Sequence, residues 1–99
     1  MVSITANELR NKIANKDDIV IIDVREPHEH EAFNIGGTLI PLKYIFENIA
    51  LINKDKPVVI YCQKGVRSQL AIQRLQQKFN YNNLINLSGG MEAWKKSMM

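Results

Sequence analysis

Two short runs, Ile19-Val20-Ile21-Ile22 and Val58-Val59-Ile60-Tyr61, are apolar at every position instead of every second one. Side chains along a strand point to opposite faces in turn, so such strands must be covered on both faces. That is the situation of a strand in a parallel sheet flanked by helices, whereas a sheet with one wet face would show alternation. Each run exits into polar residues: Asp23-Val24-Arg25 after the first, Cys62-Gln63-Lys64-Gly65 after the second. Open α/β sheets carry their chemistry at these strand ends.

The intervening segments supply the helices. Thr5 with Glu8 has capping-box spacing, and Leu9 and Ile13 follow one turn apart, which predicts a helix from about Ala6 to Asn15, ended by Lys16 and Asp17. Pro27 suits the first turn of a short helix reaching about Phe33. Leu39-Ile40 reads as a short strand, and Tyr44 to Leu51 as a helix with Ile45 and Ile49 one turn apart. Ser68, Ala71, Ile72, Leu75 and Phe79 share one face of a helix over Val66 to Phe79. A strand from Leu84 to Leu87 then feeds Ser88-Gly89-Gly90 and a final helix, in which Met91 and Trp94 are core residues. Strands alternating with helices predict an α/β sandwich with a mostly parallel sheet. With no repeat and no linker, residues 1–99 read as a single domain whose core spans about residues 4–96.

Composition removes several functional classes. Thirteen Lys and Arg against ten Asp and Glu leave a net charge of +3, too small and too scattered for a nucleic-acid track. The start carries no apolar leader and the apolar runs are short, so no membrane association is expected. A single cysteine excludes an intrachain disulfide and a paired-cysteine zinc site, and fits a reducing cytoplasm.

That cysteine lies in Cys62-Gln63-Lys64-Gly65-Val66-Arg67-Ser68, between a buried strand and a helix. Backbone N–H groups of such a loop can converge on the sulfur, and with the positive end of the helix and nearby Lys64 and Arg67 they should favour a nucleophilic thiolate. Gly65 lets the backbone turn where a Cβ would obstruct it. A lone cysteine at a strand end is commonly an inert small hydrophobe. Here the glycine three residues on, the arginine five residues on and the helix that follows favour the reactive reading.

The loop resembles the C-x-x-G-x-R-S pattern of the rhodaneses, a sulfurtransferase family. Asp23-Val24-Arg25-Glu26-Pro27-His28-Glu29 is similar to that family's D-V-R-E-x-x-E segment, and Leu87-Ser88-Gly89-Gly90-Met91-Glu92-Ala93-Trp94 to its closing L-x-G-G-x-x-A-W. The middle motif departs: where the family commonly reads G-H-I-x-G-A, this chain has Phe33-Asn34-Ile35-Gly36-Gly37-Thr38 and reaches Ile40-Pro41 about one residue early. The resemblance implies a three-layer sandwich, with about five mostly parallel strands and helices on both faces. It implies that Cys62 takes a sulfane sulfur from a small anionic donor such as thiosulfate, and passes it from a persulfide to cyanide or a thiol. Gln63, Lys64, Gly65, Val66 and Arg67 would form the substrate pocket, with Arg67 anchoring the loop or the donor and Lys64 attracting anions at the rim. No metal, no organic cofactor and a monomeric state are expected. Two alternatives remain: a persulfide relay or binding module serving a protein partner, and a cysteine phosphatase or arsenate reductase. The latter enzymes place five residues between Cys and Arg where this chain has four, a cradle too tight for a phosphoester.

Other residues attract attention. His28 and His30 within an acidic run suggest a metal site, but residues two apart on a helix diverge and no further ligand cluster exists, so a solvated face is the better reading. Arg25 is expected to pair with Glu29 or Glu31, with Asp23 hydrogen-bonding near the site, so that Asp23, Arg25 and Ser68 are supporting residues. Gly89 and Gly90 either line the pocket or only permit the turn into the last helix.

Overall fold

The computed structural model describes residues 1–98. Its elements are β1 (Ser3–Ile4), α1 (Ala6–Ala14), β2 (Val20–Asp23), α2 (Pro27–Ala32), β3 (Thr38–Leu39), β4 (Val58–Tyr61), α3 (Val66–Phe79), β5 (Leu84–Leu87) and α4 (Gly90–Lys96). All strand pairs are parallel, in the order β1-β5-β4-β2-β3. The sheet is thus five-stranded, with helices on both faces. β4 lies at its centre, and all four of its residues are buried.

Alternation along β4 divides the core in two. Val58, Ile60 and Cys62 face Ala71, Ile72 and Leu75 of α3, together with Ile45 and Ile52 from the segment before β4. Val59 and Tyr61 face the other way, onto Leu9 of α1 and Met91 and Trp94 of α4. This is the physical reason for a run without polar positions: each face of the strand has its own helical layer. The guanidinium of Arg10 lies 4.0 Å from the Trp94 ring centroid and closes that edge of the second layer.

Several elements follow their sequence signals closely. The Thr5–Glu8 capping box is formed with both reciprocal bonds, at 3.1 and 2.9 Å, and Lys16 leaves the helix with φ of 57°. α3 and β5 have the predicted limits. Two expectations need correction. The segment from Tyr44 to Leu51 is not an α-helix but two 3-10 stretches, Leu42–Tyr44 and Phe46–Leu51, with Asn48 out of helical geometry. Ile45 is buried, and the chain tightens around that anchor rather than running as a regular amphipathic helix. The short strand is Thr38–Leu39, one residue earlier than Leu39-Ile40, because Thr38 pairs with Ile22 and Leu39 with Asp23. β1, only two residues long, gives no usable sequence pattern; its pairing with β5 creates it.

Strand register gathers the chemistry at one edge. Asp23 pairs with Tyr61 and Ile60 pairs with Asn86, so β2, β4 and β5 end side by side. Beyond Asp23, Tyr61 and Leu87, the segments 24–25, 62–67 and 88–90 leave the sheet together.

Candidate active site

Cys62 follows β4 directly, and the chain turns through Gly65, at φ of +96°, into α3. That left-handed turn, which favours glycine, aims two amides at the sulfur: Gly65 N donates to Cys62 Sγ at 3.1 Å and Ser68 N at 3.3 Å. The Ser68 hydroxyl lies 3.4 Å from the same atom. Burial pushes the thiol up, but hydrogen bonds from the Ser68 hydroxyl and from the Ser68, Gly65 and Lys64 amides outweigh it and hold Cys62 below the ordinary thiol value.

The stabilisation is therefore made mainly by hydrogen bonds at contact range, with the charge of Arg67 adding a lesser through-space attraction to the thiolate. The Arg67 guanidinium meets the Glu29 carboxylate through two bonds of 2.8 and 2.9 Å, so its charge is already partnered. Arg67 holds Glu29 down to about 2.

Cys62, Gln63, Lys64, Val66 and Arg67 line an open cup of about 270 Å³. Cys62 is only 1% exposed, which places the thiol at the base of the cup, below the rim made by exposed Lys64 and Val66. Gly65, expected among the lining residues, contributes its N–H from below. A second depression of about 270 Å³, lined by Val24, Glu26, Leu42, Lys43, Arg67 and Arg74, adjoins the first at Arg67.

Behind the cup, Asp23 is fully buried and accepts from the backbone N–H, Nε and Nη2 of Arg25, at 2.9, 3.0 and 2.9 Å. Burial pushes the Asp23 carboxyl up, and the bonds to Arg25 and His30 bring it below its ordinary value. The expected pairing of Arg25 with Glu29 or Glu31 is corrected accordingly. Residues two apart at a strand end point the same way, which makes Asp23 the nearest acid, while Glu29 reaches across to Arg67. Arg25 Nη1 also donates to Gln63 Oε1 at 3.3 Å and Nη2 to the Phe33 carbonyl at 2.6 Å, tying the loop after Cys62 to the turn after α2. His30 Nδ1 lies 2.8 Å from Asp23 Oδ2, so this ring joins the same network. Among the described residues no cluster of three His, Cys, Asp or Glu is placed to hold a metal.

Gly90 belongs underneath the loop. Met91 N donates to the Cys62 carbonyl at 2.8 Å and Glu92 N to the Gln63 carbonyl at 3.0 Å, so the start of α4 carries the loop on its amides. A Cβ on Gly90 would overlap the Cys62 carbonyl and Gln63. In the divergent middle motif, Asn34 closes its own turn, with Oδ1 accepting from Gly36 N at 2.8 Å and Nδ2 donating to the His30 carbonyl at 2.9 Å.

Sequence reasoning named Ser68 only as a supporting residue and missed Asn86, Glu29 as the partner of Arg67, and His30 as a partner of Asp23. Asn86 did leave a signal: it is a polar residue inside the otherwise apolar Leu84-Ile85-Asn86-Leu87, and it is buried.

The model of the Rhodanese-like domain matches residues 5–97. The chain belongs to the rhodanese-like family. Over 95% of its length this rhodanese-like chain superimposes on 91% of a rhodanese-like domain protein from Staphylococcus aureus, with a TM-score of 0.85 and 36% identity. It is 34% identical to a thiosulfate sulfurtransferase, GlpE, of Coxiella burnetii, over 85% of this chain and 78% of that protein. It is also 36% identical to a probable adenylyltransferase/sulfurtransferase, MoeZ, of Mycobacterium tuberculosis. There the match takes 97% of this chain but spans only 25% of the relative.

Proposed function

We propose that this rhodanese-like chain is a sulfurtransferase that carries sulfane sulfur as a Cys62 persulfide, with thiosulfate or a similar small anion as donor. The observation that supports it most is the convergence of the Gly65 and Ser68 amides on a thiol at the base of an open cup. In the first half-reaction the Cys62 thiolate attacks the outer sulfur of thiosulfate. A new S–S bond forms, the S–S bond of thiosulfate breaks, and its electron pair leaves with sulfite. In the second, cyanide or a thiolate attacks the terminal sulfur of the persulfide, and the Cys62–sulfur bond breaks, with its electron pair returning to Cys62 as thiolate. Neither step requires a general acid, since each leaving group is a stable anion.

What the chemistry does require is a place for negative charge, first on Cys62 and then on the terminal sulfur. Preorganised amides provide it with little reorganisation. In this reading Gln63, Lys64, Val66 and Arg67 bound the donor, Gly65 contributes its N–H, and Asp23, Arg25 and Ser68 hold the loop in place. The thiosulfate named for the GlpE relative supports the donor. A single free thiol suits a reducing cytoplasm. The proposal is tested by following thiocyanate formation from thiosulfate and cyanide: the wild type should turn over and Cys62→Ala should not.

A second reading, delivery of the sulfur to a protein partner, is favoured by the MoeZ relative, in which the matched region is a quarter of a longer chain. It predicts weak turnover with cyanide and faster discharge to a protein thiol acceptor, which an acceptor screen distinguishes.

A further inference from the structure

Asn86, on β5, sits behind the cysteine loop with 7% exposure. Its Nδ2 donates to the Gly65 carbonyl at 3.4 Å, and its Oδ1 accepts from Ser68 Oγ at 2.5 Å. Ser68 is fully buried, and its Oγ is also the hydroxyl oxygen 3.4 Å from Cys62 Sγ. A hydroxyl has one proton and two lone pairs. The Gly65 carbonyl orients the Asn86 carboxamide, so Oδ1 faces Ser68. While Cys62 is a thiol, the Ser68 proton goes to Asn86 and a lone pair is presented to the sulfur; the hydroxyl's bond to the thiolate forms only when that proton turns away from Asn86. A protonated thiol can donate to that lone pair, whereas a thiolate is repelled by it. To serve the thiolate the hydroxyl must rotate, leaving a buried carbonyl oxygen without its donor, which is unfavourable.

We propose that Asn86 is a positioning residue that competes with Cys62 for the single proton of Ser68, disfavouring the free thiolate relative to both the thiol and the sulfur-loaded form. The loaded-form part rests on the persulfide reading above. In a persulfide, Sγ is bonded to the outer sulfur and the charge moves out to that atom, so the Ser68–Asn86 bond is kept. Discharge to an acceptor restores the thiolate and breaks the bond again. The device retains sulfur on Cys62 until an acceptor attacks.

The test is the pH dependence of iodoacetamide alkylation of the unloaded protein, for wild type, Asn86→Ala, Ser68→Ala and the double variant. The other charged groups around the cup stay as they are: Lys64, the Glu29-paired Arg67, the Asp23–Arg25 pair with His30 behind Gln63, and Glu92 at the start of α4. Removing Asn86 frees the Ser68 proton for the thiolate, so the midpoint should move to lower pH, and below it alkylation should be roughly threefold to tenfold faster. Ser68→Ala should move the midpoint up. The Asn86→Ala effect should vanish in the Ser68→Ala background, since it acts through that hydroxyl. Asn86→Val, which keeps a strand-forming side chain at the site, should behave as Asn86→Ala and serves if the alanine variant does not fold. An unchanged or raised midpoint in the folded Asn86 variant, or the same shift without Ser68, overturns the proposal. Alkylation needs no sulfur donor, so this result is independent of the persulfide reading. At a fixed thiosulfate to sulfite ratio, above the midpoint, the Asn86 variant should also hold less persulfide than wild type. An equal fraction overturns the retention role, and absence of persulfide from both proteins overturns the persulfide reading instead.

Discussion

Arg67 and Glu29 form a two-pronged ion pair, at 2.8 and 2.9 Å, that joins α3 to α2 beside the cup that Arg67 lines. The Arg67 side chain is 37% exposed, so its direct effect on folding is small, at most about 1 kcal/mol. Its effect on the geometry of the rim is larger. Arg67→Ala should reduce turnover with thiosulfate by roughly 100-fold, because misplacing a donor by about 1 Å is enough for that loss. Glu29→Gln, which leaves the guanidinium free to swing, should give a smaller loss. Steady-state rates beside thermal unfolding check both; wild-type rates in Arg67→Ala would remove it from the site.

The same pair sets an acid limit. Glu29 is held down to about 2 from an ordinary value of 4.5, so its contribution is complete above about 4.5 and disappears as pH falls toward 2. Unfolding of wild type and Glu29→Gln measured from pH 7 to 2.5 should therefore differ near neutrality and converge in acid. A difference that grows in acid would contradict the assignment.

Asp23→Asn should be the more damaging change to the fold. It leaves the Arg25 guanidinium, 2% exposed, without its counter-charge in the layer beneath Gln63. Breaking a buried pair from one side destabilises by about 3–5 kcal/mol. Denaturant unfolding reads this directly, and a loss below about 1 kcal/mol would show that Arg25 finds another partner.

Gly90→Ala tests the support under the loop. The new methyl would meet the Cys62 carbonyl and Gln63, at a backbone position with φ of +57°. The left-handed conformation alone is unfavourable by about 1 kcal/mol or more for a residue with a Cβ, and the overlap adds displacement of the loop. Activity should fall further than stability, since the amides aimed at Cys62 move with that loop.

Much of this arrangement is legible from residue order. Ile19–Ile22 and Val58–Tyr61 require a two-sided sheet by lacking polar positions, and Thr5, Glu8, Pro27 and Gly65 mark element starts through chemistry local to the chain. The cysteine loop is legible for the same reason: its amides are its own. The pairings hidden in the sequence join distant segments. Glu29 with Arg67, Ser68 with Asn86 and Arg10 with Trp94 are separated by 38, 18 and 84 positions, and each depends on strand order and register. Asp23 with Arg25 is local, yet Glu29 and Glu31 lie only four and six positions on, within reach had a helix turned them back, and the extended strand end selects Asp23. The stretch from Leu42 to Leu51 misleads because two isoleucines one turn apart satisfy both an α-helix and a tighter 3-10 path.

The central claim is that Cys62 carries the sulfur, and intact mass after incubation with thiosulfate tests it most directly. Wild type should gain the mass of one sulfur atom, lost again on reduction, while Cys62→Ser should gain nothing. Equal gain in both proteins, or a folded wild type that gains none from thiosulfate, would contradict the account.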